Sequence, residues 1–95
     1  MNKLFDITGN VTVITGGTGV LGRTIAKYLA LEGAKVIILG RKEDVGNKIA
    51  EDICAAGGSC EFMKTDVMDA EVVKKNCEDI LAKYGRIDTL LNAAG

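Results

Sequence analysis

Ninety-five residues, 12 basic and 13 acidic with a net charge of -1, allow one domain at most and present no polycationic face to nucleic acid. A composition of 47% hydrophobic and 26% charged residues should bury a core, and 12 Gly with no Pro tie the glycines to regular structure. Three Cys without His exclude zinc-finger spacings, an odd thiol count without a secretory leader points to a reducing, cytoplasmic setting, and no apolar run approaches the roughly 18 to 20 residues that cross a bilayer.

Taken in chain order, Val11 to Ile14 is a β-branched run that predicts a strand buried on both faces, and it ends in a glycine-dense turn. After Gly22, the spacing of Ile25, Ala26, Leu29 and Ala30 predicts a helix closed by a left-handed Gly33. Val36 to Leu39 predicts a second strand, and Val45, Ile49 and Ile53 a second helix that stops at Gly57-Gly58. A weaker third strand runs through Cys60 and Phe62 toward Asp66. Asp69 then caps a third helix carrying Val73, Cys77, Ile80 and Leu81 to its end near Gly85, and Ile87 to Leu91 forms the last strand.

Strict alternation of strand and helix with short connections implies a parallel sheet with right-handed crossovers. In the Rossmann-type doubly wound α/β arrangement the strand order is 3-2-1-4 with flanking helices, and ligand binds at the switch point between strands one and four. A complete sheet of this kind has two such halves, so residues 1–95 are expected to be the N-terminal dinucleotide-binding portion of a single, truncated Rossmann domain. The fourth strand would be an unprotected edge, in a chain that self-associates or is otherwise compensated.

Thr15-Gly16-Gly17-Thr18-Gly19-Val20-Leu21-Gly22 occupies the crossover from strand one to helix one. Free amides and the positive end of the helix dipole attract an anion there, and the missing side chains at Gly16, Gly17 and Gly19 admit a pyrophosphate to the backbone. Gly22 would allow close packing of helix on strand. A tight turn needing positive φ explains one or two of these glycines but four less readily. No G-K-S or G-K-T follows, so the loop is not of the triphosphate-hydrolysing kind.

Cofactor choice is read at the end of strand two, where an NAD-selective site carries Asp or Glu. Here Gly40 takes that place and Arg41 follows, a guanidinium able to pair bidentately with a 2'-phosphate, so NADP(H) is favoured with NAD(H) as the alternative. The competing reading is a solvated arginine balanced by Glu43 and Asp44. Thr18 is placed to donate its hydroxyl to the same phosphate.

From Leu4-Phe5-Asp6 through the glycine loop to Asn92-Ala93-Ala94-Gly95, the chain resembles the first half of the short-chain dehydrogenase/reductase family. L-F-D-I-T-G-N-V and T-G-G-T-G-V-L-G look most like its sugar-acid members, the D-mannonate oxidoreductases or fructuronate reductases. The loop spacing T-G-x-x-G-x-x-G departs from the common T-G-x-x-x-G-x-G and is shared with the sugar-nucleotide epimerase branch, whereas N-A-A-G is similar to the N-N-A-G of the dehydrogenases. The resemblance implies that Asp66 accepts from the adenine amine with Val67 along the ring, that Val20 and Leu21 line the phosphate loop, and that Asn92, Ala93, Ala94 and Gly95 wall the ribose. A turn or capping role explains Asp66, and a strand-ending turn Asn92 to Gly95, nearly as well.

The family's Tyr and Lys four residues apart do not occur here: Tyr28 has Glu32 four residues on, and Tyr84 lies on the third helix. The chain is therefore expected to carry the cofactor half of an oxidoreductase, inactive alone, from a homo-oligomeric, cytoplasmic parent acting on a sugar acid without membrane or nucleic-acid partners. Alternatives are a stand-alone NAD(P)-binding regulatory module, an epimerase-like member, and an assembly unit that pairs through its sheet edge. Cys54, Cys60 and Cys77 are expected to be small buried fillers, and no metal site is expected.

Overall fold

The structure, a computed structural model, describes residues 7–16, 18–66 and 68–93. Its elements are β1 (Val11–Thr15), α1 (Val20–Leu31), β2 (Lys35–Gly40), α2 (Glu43–Ala55), β3 (Ser59–Lys64), α3 (Ala70–Tyr84) and β4 (Thr89–Asn92). The strands form one sheet in the order β3-β2-β1-β4, all pairs parallel. Val13 is registered between Ile37 and Leu90, and Ile14 between Ile38 and Leu91.

Both faces of β1 and β2 are covered, which is why these strands read as unbroken apolar runs. Ile14, Val36 and Ile38 pack under Ala26 and Ala30 of α1 and Ile49 and Ile53 of α2. Val11, Val13, Ile37 and Leu39 meet Ile80 of α3 on the opposite face. The chain thus winds outward from β1 to β3 under two helices and returns across the other face to β4, which creates the switch point between β1 and β4.

The helix ends follow backbone chemistry. Gly33 has φ +102°, and its amide and that of Ala34 donate to the carbonyls of Ala30 and Leu29, both at 3.1 Å, closing α1 in a left-handed turn one residue beyond the cap residue Glu32. Asp69 caps α3 by accepting from the amides of Glu71 and Val72, and Gly85 ends it at φ +81°.

Four expectations need correction. The first helix starts at Val20, not after Gly22; Val20 and Leu21 are 70% and 66% exposed, so the first turn contributes nothing to the apolar stripe from which periodicity is read. On α2 the buried stripe is Gly46, Ile49 and Ile53, and Val45 is exposed. A Cβ at Gly46 would lie 2.1 Å from Phe62 Cδ1, so the absent side chain is what lets the Phe62 ring pack there. Cys54 is exposed and not a buried filler, because Ile53 beside it takes the inward face; Cys60 and Cys77 are half-buried.

The last strand covers Thr89–Asn92, not Ile87 to Leu91. Ile87 packs beside Val11 and Ile80, and Asp88 clamps the start of β1: its amide donates to the Val11 carbonyl at 2.9 Å and its Oδ2 accepts from the Val11 amide at 2.8 Å. Beyond β1, β4 pairs with no other strand among the described residues, and Leu90 is 61% exposed on the face it shares with Val13.

Candidate functional site: the glycine loop at the sheet's C-terminal edge

At the end of β1 the chain turns sharply at Gly16, whose φ of +74° requires glycine and whose amide donates to the Leu39 carbonyl at 3.1 Å. The Gly19 amide donates to the Gly16 carbonyl at 3.3 Å, and the Arg23 amide to the Gly19 carbonyl at 3.0 Å, the first helical bond of α1. Gly19 is therefore the N-cap, with φ -77° and ψ 171°, and no side chain caps the helix there. The first turn of α1 also holds no acidic residue, whereas α2 begins with Glu43 and Asp44 and α3 with Asp69 and Glu71. The positive end of the α1 dipole, at the sheet's C-terminal edge, thus has neither a side-chain cap nor an acidic residue in its own first turn.

Gly16 and Gly19 are glycine for different reasons. Gly16 is fixed by its backbone angle, as the tight-turn reading requires. Gly19 is not: its φ is open to any residue, and an added Cβ would meet only the Gly16 carbonyl oxygen at 3.7 Å, an ordinary contact. Nothing in the described chain demands glycine at 19, and its bareness leaves room for a ligand against the helix end. Gly22 is buried in the first turn, the start of a small-residue stripe with Ala26 and Ala30 that sets α1 close to the sheet.

Gly40 is explained by Thr18. A Cβ at Gly40 would lie 3.3 Å from Thr18 Cγ2 and 3.6 Å from Phe62 Cε1, so the absence of a side chain at the end of β2 lets Thr18 fold over it, next in space to the residue preceding Arg41. Arg41 is exposed just ahead of α2. The ion pairs among the described residues are Lys48–Asp52, Lys83–Glu61 and Arg86–Asp88, and none involves Arg41, Glu43 or Asp44.

Asp66 is exposed beyond β3. Its Oδ1 accepts from the Met68 amide at 3.0 Å and its carbonyl from the Asp69 amide at 2.9 Å, a side-chain turn that delivers the chain to the α3 cap. Before it, Thr65 is 1% exposed; its amide donates to the Gly40 carbonyl at 2.6 Å, its hydroxyl to the Met63 carbonyl at 3.1 Å, and Asn76 of α3 donates to that hydroxyl. This polar knot holds the ends of β2 and β3 and the α3 helix together. Across the switch point, Asn92 Oδ1 accepts from the Thr15 hydroxyl at 3.2 Å and the Ala93 amide donates to the Thr15 carbonyl at 2.8 Å, while Ala93 packs on the cluster around Ile14. Gly17, Val67, Ala94 and Gly95 lie outside the described residues.

The strands thus bring Gly16, Thr18 to Leu21, Gly40, Arg41, Asp66, Asn92 and Ala93 to one edge of the sheet. Sequence reasoning missed Thr65 and Asn76, which hold this edge, and Asp88, which clamps the opposite end of β1; none of the three leaves a periodic trace. A cluster of ionisable groups lies elsewhere: burial raises the Glu61 carboxyl, but hydrogen bonds from Lys83 and Tyr84, at 2.8 and 2.6 Å, outweigh it and hold the group below its ordinary value. Tyr84 is thereby engaged at the end of α3, and Tyr28 is exposed on α1. A groove of about 740 Å³ between α1 and α2, lined by Tyr28, Leu31, Val45 and Ile49 among others, shares no residue with the loop. Among the described residues no helix is long and apolar enough to cross a membrane, and no group of three or more His, Cys, Asp or Glu could hold a metal.

The short chain dehydrogenase family model matches residues 10–95. The chain belongs to the short-chain dehydrogenase family. Among relatives of this chain, the uncharacterized oxidoreductase UxuB of Bacillus subtilis (strain 168) is 41% identical over 90 residues, which cover 95% of this chain and 32% of the relative. A 3beta-hydroxysteroid dehydrogenase of Mediterraneibacter gnavus is 40% identical over 85 residues, covering 90% of this chain and 31% of the relative. The chain spans about a third of the length of these curated relatives. Among solved structures, a metagenomic short-chain oxidoreductase in complex with NADP superposes with a TM-score of 0.90 at 32% identity, over 96% of this chain and 41% of that one. A Haemophilus influenza protein described as a D-mannonate oxidoreductase, with bound NAD, superposes with a TM-score of 0.88 at 32% identity, over 95% and 32% of the two chains.

Proposed function

We propose that this chain is the cofactor-binding portion of a nicotinamide-dependent oxidoreductase, with NADP(H) preferred over NAD(H). The observation that carries the reading is Gly19: a helix start with no side-chain cap and no acidic residue in its first turn, at a position that the described protein does not require to be glycine. A dinucleotide diphosphate fits that donor set, since it brings negative charge and oxygen acceptors to bare amides. When bound, the nicotinamide supplies the hydride chemistry. The chain's own residues bind and orient: the loop of residues 16 to 21 holds the diphosphate through the helix-start amides of Val20 and Leu21, Thr18 and Arg41 take the 2'-phosphate, Asp66 with Val67 holds the adenine, and Asn92 to Gly95 form the ribose wall.

The acid–base group that hydride transfer needs is assigned to the remainder of a longer parent, so that the 95-residue chain alone is inactive. A sugar acid is the proposed substrate class and a cytoplasmic homo-oligomer the proposed parent. The first rests on L-F-D-I-T-G-N-V and the glycine loop, and on the likeness to the Haemophilus influenza protein. The Mediterraneibacter gnavus relative, a hydroxysteroid dehydrogenase, favours a second reading in which a hydroxysteroid takes the substrate site.

Calorimetric titration with NADP+ and NAD+ tests the cofactor assignment. Arg41→Ala should weaken NADP+ by roughly 1.5 to 3 kcal/mol and leave NAD+ nearly unchanged. Equal losses for both overturn the selectivity, and failure of the unaltered protein to bind either overturns the site.

A further inference from the structure

The turn joining α2 to β3 brings two of the three cysteines together. Cys54, the penultimate residue of α2, is exposed, and Cys60, the second residue of β3, is half-buried. The Cys54 thiol donates to the Cys60 carbonyl oxygen at 3.4 Å. The Cys60 side chain packs on the cluster that contains Ile49 and Ile53 of α2, so both cysteines belong to the seam between this helix and β3. Cys77 sits on α3, which covers the opposite face of the sheet.

The path between the two is rigid. Gly57 has φ +99°, its amide donates to the Cys54 carbonyl and that of Gly58 to the Ile53 carbonyl, both at 3.0 Å. A Cβ at Gly58 would lie 2.9 Å from Ile53 Cγ2 and 3.0 Å from Ala30 Cβ, so the backbone of this turn is wedged against packed core. Folding therefore holds Cys54 beside Cys60 and keeps Cys77 away.

We propose that Cys54 and Cys60 are a reversible dithiol/disulfide site that exchanges with low-molecular-weight disulfides. The Cys54 thiolate attacks one sulfur of oxidised glutathione, breaking its S–S bond and expelling one glutathione thiolate. Cys60 then gives up its proton to solvent and attacks the Cys54 sulfur, forming the protein disulfide and expelling the second glutathione. Two protein thiols lose two electrons and one glutathione disulfide gains them. The order of attack follows from exposure: burial, and then charge on Cys54, push the Cys60 thiol up to about 12, which makes the exposed Cys54 the entering nucleophile. Once Cys54 is in the mixed disulfide its charge is gone, which eases ionisation of Cys60 for the second step.

The test treats the full 95-residue chain with oxidised glutathione, under native conditions and in concentrated guanidinium, quenches with an alkylating agent and maps the peptides by mass spectrometry. The native chain should yield a Cys54–Cys60 disulfide with Cys77 alkylated, formed several-fold faster than in guanidinium and reversed by dithiothreitol. Cys60→Ser should stop at the glutathione adduct on Cys54, and Cys54→Ser should leave Cys60 unmodified. A native chain that keeps the Cys54 adduct with Cys60 alkylatable overturns the proposal. So do pairing through Cys77, native rates and pairings equal to those in guanidinium, or unchanged reaction of Cys60 in Cys54→Ser.

Discussion

Replacing Gly19 by Ala separates the fold from the site, because the two respond to different properties of that residue. The backbone there is extended, and the new Cβ would meet one carbonyl oxygen at 3.7 Å, so the folded chain offers no steric objection. Ala is a poorer N-cap than Gly by a few tenths to about 1 kcal/mol, and restricting the unfolded chain returns about 0.4 to 1 kcal/mol. The net change should fall within about 0.5 kcal/mol, a shift of roughly 2 to 3 °C in Tm for a domain of this size. Cofactor binding should behave otherwise. A methyl group in the open space before the helix end pushes the diphosphate off the amides. Two charge-assisted hydrogen bonds at about 1.5 to 3 kcal/mol each then correspond to roughly 10²- to 10⁴-fold in Kd. Gly19→Ser sharpens the contrast, since its hydroxyl caps the helix, raising stability by a few tenths of a kcal/mol, while occupying the same space. Paired calorimetry and thermal unfolding in the presence and absence of NADP+ read both quantities. If both variants bind within about threefold of the unaltered protein, an effect below about 0.7 kcal/mol, the diphosphate does not lie against Gly19. If Gly19→Ala instead unfolds the chain, the geometry of the loop is wrong.

Thr65→Val keeps the shape but strands the Asn76 amide and the Met63 carbonyl, and should cost about 1 to 3 kcal/mol, whereas Thr65→Ser keeps the hydroxyl and should lose about 1 kcal/mol. Equal losses in urea unfolding would show that the methyl group, not the polar knot, holds α3 to the sheet. Gly33→Ala and Gly57→Ala both force a left-handed φ on alanine, at about 1 to 2 kcal/mol. A Cβ at 33 also meets Thr8 Oγ1 at 3.0 Å and Thr8 Cα at 3.2 Å while one at 57 meets nothing within 4 Å, so Gly33→Ala should have the lower urea midpoint. Because the folded-state Glu61 carboxyl is held below its ordinary value of 4.5, its stabilisation is present at neutral pH and lost as pH falls through that depressed value. The unfolding midpoints of Glu61→Gln and the unaltered protein should converge as pH is lowered from neutral to strongly acidic, and a gap that persists would remove Glu61 from the acid response.

What could be read in the sequence is what repeats. β1 and β2 declare themselves because both faces are buried and every position is apolar, and the glycine loop because strand and helix flank it. The glycines that end helices are legible for the same reason: a left-handed turn has few other solutions. Several departures come from contacts between positions far apart in the chain. Val45 is the apolar residue one turn before Ile49, yet the Phe62 ring from the next strand packs over residue 46, and the buried stripe runs through Gly46 with Val45 exposed. Gly40 reads as a missing carboxylate until Thr18, 22 positions earlier, is found folded over it. The clamp of Asp88 on Val11 spans 77 positions, and one polar residue at a strand start has no pattern to announce it.

Gly46 and Gly40 nonetheless carry a readable signal when taken with Phe62. A small residue on a buried helical stripe, followed by an aromatic residue on the adjoining strand, marks a ring that needs a flat bed, and Phe62 reaches both glycines. The same ring that seats α2 on β3 thereby helps define the floor under Thr18 at the end of β2. Packing of the second crossover and shape of the cofactor edge are coupled through one side chain. Phe62→Leu should consequently do more than open a void worth roughly 1 to 3 kcal/mol. With the ring gone from Gly40, Thr18 loses one side of its bed, and NADP+ affinity should fall more than NAD+ affinity if the Thr18 hydroxyl helps bind the 2'-phosphate. Loss of stability with an unchanged ratio of the two affinities would confine Phe62 to the core and detach Thr18 from cofactor choice.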